Sequence, residues 1–237
     1  MIVGLLFPGE MGAAVGNAVS GEVLWASEGR SDATRRRAAG FRDVGSVDEL
    51  VRSSEIVLSI CPPAIAEDVA RQVFALGFDG VYVEANAISP ERMRQIAALG
   101  PKVVDGSIIA AKGIDLYLAG DGAERVAELF DGGEVRAIVL EAPVGAASAL
   151  KMAFGGWNKI GIALTAQAHA IARAYGVAEQ LAAEGVPEDR LERVADRAWR
   201  WAPEMEEIAN LCCELGLSTA IPHGAAEFYR QLSEKGA

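Results

Sequence analysis

The first residues that could do chemistry lie in a glycine-containing turn close to the amino terminus. The segment I2-V-G-L-L-F7-P8-G9-E10-M11-G12 reads as an apolar strand, a tight turn and a helix of small residues. The N–H groups of such a turn can receive the diphosphate of a dinucleotide, with a glycine admitting the phosphates and another letting the helix pack on the strand. The contacts that we predict here are Pro8, Gly9, Glu10, Met11 and Gly12.

The turn departs from the G-x-G-x-x-G pattern at its first glycine, where this chain has Phe7. We expect the Phe7 side chain to point away from the ligand and Pro8 to supply the turn through its fixed φ. Glu10 also places a carboxylate near the expected phosphates. A strand–turn–helix that binds nothing is the alternative interpretation, because the pattern alone is a weak signal.

The tip of the second strand bears on the choice of nucleotide. It reads W25-A-S27-E28-G-R30-S31. Arginine and serine at this place accommodate a 2′-phosphate, whereas an acidic residue such as Glu28 favours a free ribose hydroxyl. We predict NADP as the cofactor, held here by Ser27, Arg30 and Ser31, with NAD as the alternative.

The elements that must position these residues follow from the alternation of apolar runs and amphipathic stretches. Seven strands are predicted, at residues 2–7, 22–26, 56–60, 81–85, 102–105, 116–119 and 137–140. Strands alternating with helices indicate an α/β, doubly wound, mostly parallel sheet of Rossmann type, with ligands at the carboxyl ends of its strands. After Pro143 the pattern becomes helical, beginning with a long helix over residues 144–175. We therefore predict a dinucleotide-binding domain at 1–143 and a helical substrate and dimerisation domain at 144–237.

Composition narrows the partners. The chain has 237 residues and a formal net charge of −11, so nucleic acid and anionic membranes are unexpected partners and a small-molecule substrate is expected. Its three cysteines and its carboxylates show no metal-type spacing, and a cytoplasmic location is expected. The long helix should expose apolar surface that a second subunit covers, which predicts a homodimer.

Four stretches resemble the β-hydroxyacid dehydrogenase superfamily, and specifically 6-phosphogluconate dehydrogenase-like proteins with a C-terminal domain of unknown function. They are F7-P-G-E-M-G12, V57-L-S-I-C-P-P63, E84-A-N-A-I-S-P90 and V144-G-A-A-S-A-L-K151. The resemblance implies an NAD(P)-dependent oxidoreductase that moves hydride between nicotinamide and a small hydroxy or carbonyl substrate.

The same resemblance assigns roles to residues along the chain. Cys61, Pro62 and Pro63 would border the cofactor. Asn86 would lie near the nicotinamide end and contact the substrate. Lys151 matches the family's catalytic lysine, and a lysine in an apolar helix is costly to bury unless its charge has a partner or a role. The alternative is a lysine that reaches solvent from a domain junction.

Two departures from the family concern the substrate. Ile109 stands where the family has a serine that holds the substrate carboxylate, and Ser107 is a candidate replacement. Gly155 stands where the family has an asparagine. Asn158 returns to the lysine's helix face two turns on, so we predict that Asn158, with Lys159 as a further candidate, supplies the missing contact.

A further patch and two rival functions complete the interpretation. Trp199, Trp201 and Met205 form either part of the substrate pocket or part of the helical core. One rival function is an imine reductase, against which the retained Lys151 counts. The other is an NADP-binding sensor or scaffold without catalysis, which the substitutions at Phe7, Ile109 and Gly155 favour.

Overall fold

The structure, a computed structural model, describes residues 1–192 and 200–235. The chain divides into two compact units, Met1–Lys151 and Met152–Ala237. We predicted the domain boundary between residues 143 and 144. The division into units does not test that boundary, which stays a prediction.

The first unit is built on one eight-stranded sheet. Its strands are β1 (Ile2–Leu6), β2 (Glu22–Trp25), β3 (Arg42–Asp43), β4 (Ile56–Ser59), β5 (Val81–Glu84), β6 (Val103–Ile109), β7 (Ile114–Ala119) and β8 (Val135–Val139). The order across the sheet is β3-β2-β1-β4-β5-β6-β7-β8, and only the β6–β7 pair is antiparallel. The predicted Rossmann-type, mostly parallel sheet is confirmed. Two predictions about strands were wrong: the exposed β3 was missed, and β6 continues beyond Asp105 to Ile109.

Helices cover both faces of this sheet. They are α1 (Glu10–Asn17), α2 (Asp32–Arg37), α3 (Val47–Ser53), α4 (Ala66–Ala75), α5 (Pro90–Ala97) and α6 (Ala123–Ala127), with short 3₁₀ turns at Pro63–Ile65 and Glu128–Phe130. Successive residues of a strand point to opposite faces, and along β4 Ile56 and Leu58 enter one apolar core whereas Val57 enters the other. Such strands, buried on both sides, read as continuous apolar runs.

The register of the parallel strands defines a rim along which ligands can lie. Leu6 of β1 pairs with Ser59 of β4, Ser59 with Glu84 of β5, and Glu84 with Asp105 of β6. These four residues are level with one another, so β1, β4 and β5 all end at the same edge of the sheet, past which β6 continues to Ile109. From β1 to β6 the rim spans three strand spacings, roughly 14 Å.

The second unit is helical. The long helix α7 (Ala146–Ala174) begins in the first unit and continues into the second, and α8 (Ala178–Ala183), α9 (Trp201–Glu214) and α10 (Ala220–Lys235) follow it. The predicted long helix is confirmed to within two residues at each end. Met205 and Tyr229 are fully buried, and the Trp201 ring meets the Tyr229 ring edge-on at 5.1 Å between centroids. None of the described helices is long and apolar enough to cross a membrane.

Candidate functional site

The β1–α1 turn borders an open cavity of about 370 Å³ in the first unit. Predicted nucleotide contacts that line this cavity are Gly9, Glu10, Met11, Gly12, Arg30, Cys61 and Pro62. Three other residues complete the lining, namely Phe7, Thr34 and Ile60. The structure thus brings together the turn after β1, the tip after β2 and the loop after β4.

The two glycines of the turn meet different surroundings. A Cβ on Gly12 would lie 2.6 Å from the Phe7 carbonyl oxygen, so the close packing of α1 on β1 requires glycine there. A Cβ on Gly9 would have no protein atom nearer than 3.9 Å, and Gly9 has an ordinary φ of −68°. The protein's own packing does not demand glycine at position 9. Space kept open in front of a helix amino terminus fits the approach of a phosphate.

Phe7 corrects our prediction for the turn. It adopts φ 61°, and every other residue with positive φ in the described chain is a glycine. The left-handed turn is therefore made by Phe7 itself and not by Pro8, which is buried away from the cavity. A side chain in this conformation costs about 1–2 kcal/mol. The Phe7 side chain also lines the cavity instead of pointing away, yet the cavity stays open beside it.

Arg30 supplies the positive charge of the cavity. Its guanidinium carbon lies 3.9 Å from the centroid of the Phe7 ring, a cation–π contact. Burial lowers the pKa of Arg30, and the nearby Cys61 opposes this effect. The buried Nε of Arg30 has no hydrogen-bond partner within the described chain. Because the cation is partly desolvated and incompletely satisfied, it is suited to an anion.

The other predicted contacts near α2 and α4 have structural roles. The Ser31 hydroxyl caps α2 by accepting from the Thr34 N–H at 3.3 Å. The Ser27 carbonyl accepts from Arg35 at 2.9 Å, and the Ser27 side chain is buried. Pro63 is exposed and opens the 3₁₀ turn. Contacts of these residues with a nucleotide stay predictions.

Asn86 belongs to a buried polar cluster at the carboxyl ends of β4 and β5. Its amide nitrogen donates to the Cys61 sulfur at 3.2 Å and to the Ser59 hydroxyl at 3.4 Å. The Glu84 carboxylate accepts from both the backbone N–H and the side-chain amide of Asn86. The Tyr82 hydroxyl donates to the other oxygen of Glu84 at 3.3 Å. The cluster fixes Asn86 at the centre of the rim.

The titration of this cluster is set by burial. Burial raises the pKa of Glu84 to about 7, although hydrogen bonds from Asn86 and Tyr82 lower it. Burial and the Glu84 carboxylate also raise the pKa of the Cys61 thiol to about 11 and push the pKa of Tyr82 above its ordinary range. The Cys61 thiol therefore stays protonated at neutral pH and lines the wall of the cavity. Glu84 was not singled out from the sequence, although a carboxylate that ends an apolar strand was a usable signal.

Lys151 is directed back onto the sheet. Its Nζ donates to the Ile108 carbonyl oxygen at 2.5 Å, on the part of β6 that extends past the level of Glu84. The half-buried amine therefore lies over β6 and not in open solvent. Lys151 and the β1–α1 turn belong to the same unit and to the same edge of the sheet.

Asp105 holds the helix that carries Lys151, a role that we did not predict. Its carboxylate is fully buried and accepts from the N–H groups of Gly145 and Ser148, at 2.8 and 3.1 Å, and from the Ser148 hydroxyl at 2.7 Å. These bonds satisfy donors at the amino end of α7. Burial raises the pKa of Asp105, and its hydrogen bonds with Ser148 oppose the rise.

The predicted substrate residues of β6 lie inside the fold. Because β6 continues to Ile109, Ser107 and Ile109 are strand residues, whereas the predicted strand ended at Asp105. The Ser107 hydroxyl is buried without a hydrogen-bond partner in the described chain, and Ile109 is 7% exposed. Their contact with a substrate stays a prediction.

The remaining predicted residues lie in the second unit. Asn158 lines a cavity of about 430 Å³ together with Trp157 and Thr165. Trp201 is 8% exposed and packs against Tyr229, as the core interpretation predicted. Trp199 lies outside the described residues. The structure thus places Asn158 and Trp201 in the helical unit, and their catalytic and substrate roles stay predictions.

Gly155 makes room for an ion pair in the second unit. Lys159 bonds to Glu204 at 2.5 Å, and the two side chains are only 14% and 21% exposed. A Cβ on Gly155 would lie 3.1 Å from the Glu204 carboxylate. Lys159 is therefore engaged with Glu204 rather than free for a ligand.

Comparison with known proteins shows similarity along the chain. The domain of unknown function DUF1932 matches residues 172–232. An uncharacterized 28.5 kDa protein in the 7S RNA 5′ region of Methanothermus fervidus is 30% identical over 166 residues, which span 68% of this chain and 65% of that relative, a little under two thirds.

Solved structures extend the similarity to the whole fold. A conserved protein of unknown function, described as structurally similar to 3-hydroxyacid dehydrogenases, is 26% identical with a TM-score of 0.79, over 99% of this chain and 97% of the other. The 3-hydroxyisobutyrate dehydrogenase of Mycobacterium tuberculosis, solved with L-serine, is 16% identical with a TM-score of 0.77, over 98% and 94%. A reductive aminase from Aspergillus terreus, in complex with NADPH and ethyl levulinate, is 16% identical with a TM-score of 0.60, over 99% and 94%. At 16% identity these two show the fold alone.

Proposed function

We propose that this chain, which has the fold of the β-hydroxyacid dehydrogenase superfamily and carries the DUF1932 domain, is an NADP(H)-dependent oxidoreductase. It would bind the nucleotide along the carboxyl edge of its sheet. Hydride would pass between the nicotinamide and the carbon of a small hydroxyl or carbonyl group. Lys151 would be the acid–base residue.

One observation carries the proposal: the open space in front of α1 and a half-buried amine lie along one rim of one unit. The opening is at Gly9, after β1, and the amine of Lys151 rests on Ile108 of β6. The rim between β1 and β6 measures roughly 14 Å. A dinucleotide is an extended molecule, so its diphosphate can sit at one end of this rim while its reactive ring reaches the other.

The residues present fit NADP. The amides at the start of α1 lack intrahelical partners and Gly9 leaves them uncovered, which suits a diphosphate. Arg30 gives the same cavity a cation, which suits a further phosphate better than a ribose hydroxyl. Glu28 is exposed and does not line the cavity. These features support NADP over NAD.

The chemistry divides between cofactor and protein. When bound, the nicotinamide supplies or accepts the hydride. In the reducing direction the Lys151 ammonium would donate a proton to the substrate oxygen, and in the oxidising direction its amine would take that proton back. The hydrogen bond to Ile108 holds the amine over β6, and the Asp105–Ser148 contacts hold the helix from which it projects. Asn86, fixed by Glu84, would orient the reacting groups.

Binding is tested by thermal denaturation with NADPH, NADP, NADH and NAD. A ligand that binds only the folded protein at a concentration a hundred times its Kd stabilises it by about 2.7 kcal/mol. NADPH should raise the melting temperature most. Gly9→Ala should abolish that rise with little change in its own melting temperature, because a Cβ at position 9 meets open space.

Gly12→Ala is the matched variant for this experiment. Its Cβ would overlap the Phe7 carbonyl, so it should lower the melting temperature even without nucleotide. If none of the four nucleotides stabilises the wild-type protein, the proposed function is wrong.

The acid–base role is tested with Lys151→Met on a panel of small hydroxy acids, keto acids and imines. NADPH binding should persist while turnover falls at least about a hundredfold. A sensor without catalysis would instead bind NADPH and turn over none of the panel in its wild-type form. The retained lysine also argues against an imine reductase, which the panel tests directly.

We further propose a homodimer formed through α7. Trp157, Leu164, Ile171 and Tyr175 lie at and just beyond this helix, spaced seven, seven and four residues apart, and are 65–82% exposed. That spacing puts them on one stripe of the helix, a pattern typical of helix pairing.

A further inference from the structure

Phe7 occupies a backbone conformation that glycine would adopt without strain. Its φ of 61° is otherwise reserved for glycines in the described chain. A glycine there would serve the turn equally well, and Gly12 packs against the Phe7 carbonyl and not against its ring. The turn itself therefore does not require a phenyl ring at this position, although the side chain also packs against the apolar core that contains Leu6 and Cys61.

Beside this apolar packing, which a leucine would also make, the ring contacts Arg30. The guanidinium stacks on the ring face at 3.9 Å, and both side chains line the cavity in front of α1. Gly29, with φ 67°, turns the chain immediately before Arg30. Arg30 forms no ion pair within the described residues, and its buried Nε has no acceptor there.

An arginine in this position needs a support. Without the ring, a long and flexible guanidinium would extend into water and lose entropy on each binding event. Stacked on an aromatic face, the cation is held in place without an ion pair to a carboxylate of the described chain, so its charge remains available to an anion.

We infer that Phe7 is a positioning residue that presents Arg30 to a phosphate of the bound dinucleotide. A glycine at position 7, as in the usual pattern, would offer no ring to support Arg30. With Phe7 there, the phosphate site gains a positive charge that is held in place. This inference rests on the proposed function, because the anion is a phosphate of that cofactor.

The test is a double-mutant cycle on the affinities for NADPH and NADH, measured by fluorescence titration of Phe7→Leu, Arg30→Met and the double variant. Phe7→Leu keeps an apolar side chain at the same φ but removes the ring, and it should weaken NADPH binding about three- to thirtyfold. Arg30→Met should weaken binding about ten- to a hundredfold. The double variant should bind no more weakly than Arg30→Met alone, because Phe7 acts through Arg30.

Two further variants separate positioning from a general structural effect. Phe7→Tyr retains a stacking face and should restore wild-type affinity. Arg36→Met removes an exposed charge from α2 and should leave affinity unchanged. Equal losses for NADPH and NADH would assign the contact to the diphosphate, and a loss for NADPH alone would assign it to the 2′-phosphate. Either pattern supports the inference.

Several results would overturn it. Phe7→Leu could bind NADPH as well as or better than wild type, the two single losses could add in the double variant, or Phe7→Tyr could fail to rescue. In each of these cases the wild-type protein still binds nucleotide and the proposed function stands. If the wild-type protein binds neither nucleotide, both fall together.

Discussion

Replacing Glu84 by glutamine should make the protein more stable at alkaline pH and leave it nearly unchanged at acid pH. Glu84 is 1% exposed, and burial raises its pKa from 4.5 to about 7. Its partners, the Asn86 amides and the Tyr82 hydroxyl, can also pair with a neutral carboxyl or a carboxamide. The substitution therefore removes the titration without removing the hydrogen bonds.

The sign follows from proton linkage. The folded protein holds the Glu84 proton more tightly than the unfolded chain does, so the stability that the neutral carboxyl confers is fully present below about pH 4.5. That stability declines as the pH rises towards 7 and is lost above it. The difference between 4.5 and about 7 corresponds to about 3 kcal/mol. Glu84→Gln should exceed wild type in unfolding free energy by up to that amount at pH 8.

Urea denaturation at pH 5 and at pH 8, for both proteins, measures this difference. Glu124→Gln is the control, because Glu124 is exposed on α6 and should show no difference that depends on pH. The reasoning is refuted if Glu84→Gln is less stable than wild type at pH 8, or if the two proteins differ equally at both pH values.

Two more predictions concern α7. Asp105→Ala should destabilise the protein by roughly 3 kcal/mol in urea denaturation, because it leaves buried donors of Gly145 and Ser148 unpaired. Asp105→Asn, which keeps an acceptor, should lose less stability. Equal losses for the two variants would contradict the anchoring role. Leu164→Glu should shift the protein from dimer to monomer in sedimentation velocity, whereas Leu215→Glu, at a similarly exposed leucine outside the α7 stripe, should not. A wild-type protein that sediments as a monomer would refute the homodimer.

The sheet was predictable because its central strands are short apolar runs between amphipathic helices. Four motifs in one order indicated the resemblance to the superfamily. The fold and the C-terminal domain that this resemblance implied are confirmed. The edge strand β3 was not predictable in this way, because Arg42 and Asp43 are exposed and carry no apolar signal. The extension of β6 was missed because Ser107 reads as a loop residue, although it is buried in the strand.

The parts of the site that depend on a local backbone turn were predictable from the sequence. The contacts between residues that are far apart in the sequence were not. The glycine turn follows from local spacing, and a cavity lies beside Gly9 and Arg30 of that turn and of the β2 tip; its occupation by a nucleotide stays a prediction. Asp105 and Ser148 are 43 residues apart and form their bond only because the middle of β6 passes beside the start of α7. No local pattern in the sequence encodes that contact.

The departures from the family pattern bear on whether the chain has lost its chemistry. A residue that no longer contributes to function is not expected to keep a strained backbone or specific side-chain contacts. Phe7 instead maintains a left-handed φ and contacts Arg30 at the cavity, and Gly155 admits the partly buried ion pair of Lys159 and Glu204. Because strained and tightly packed residues persist only where the surrounding structure enforces them, each of these two substitutions, taken within its own unit, indicates a rebuilt environment rather than a decayed one. Together with the position of Lys151 on the rim, this supports the proposed oxidoreductase with a different substrate over a sensor without catalysis.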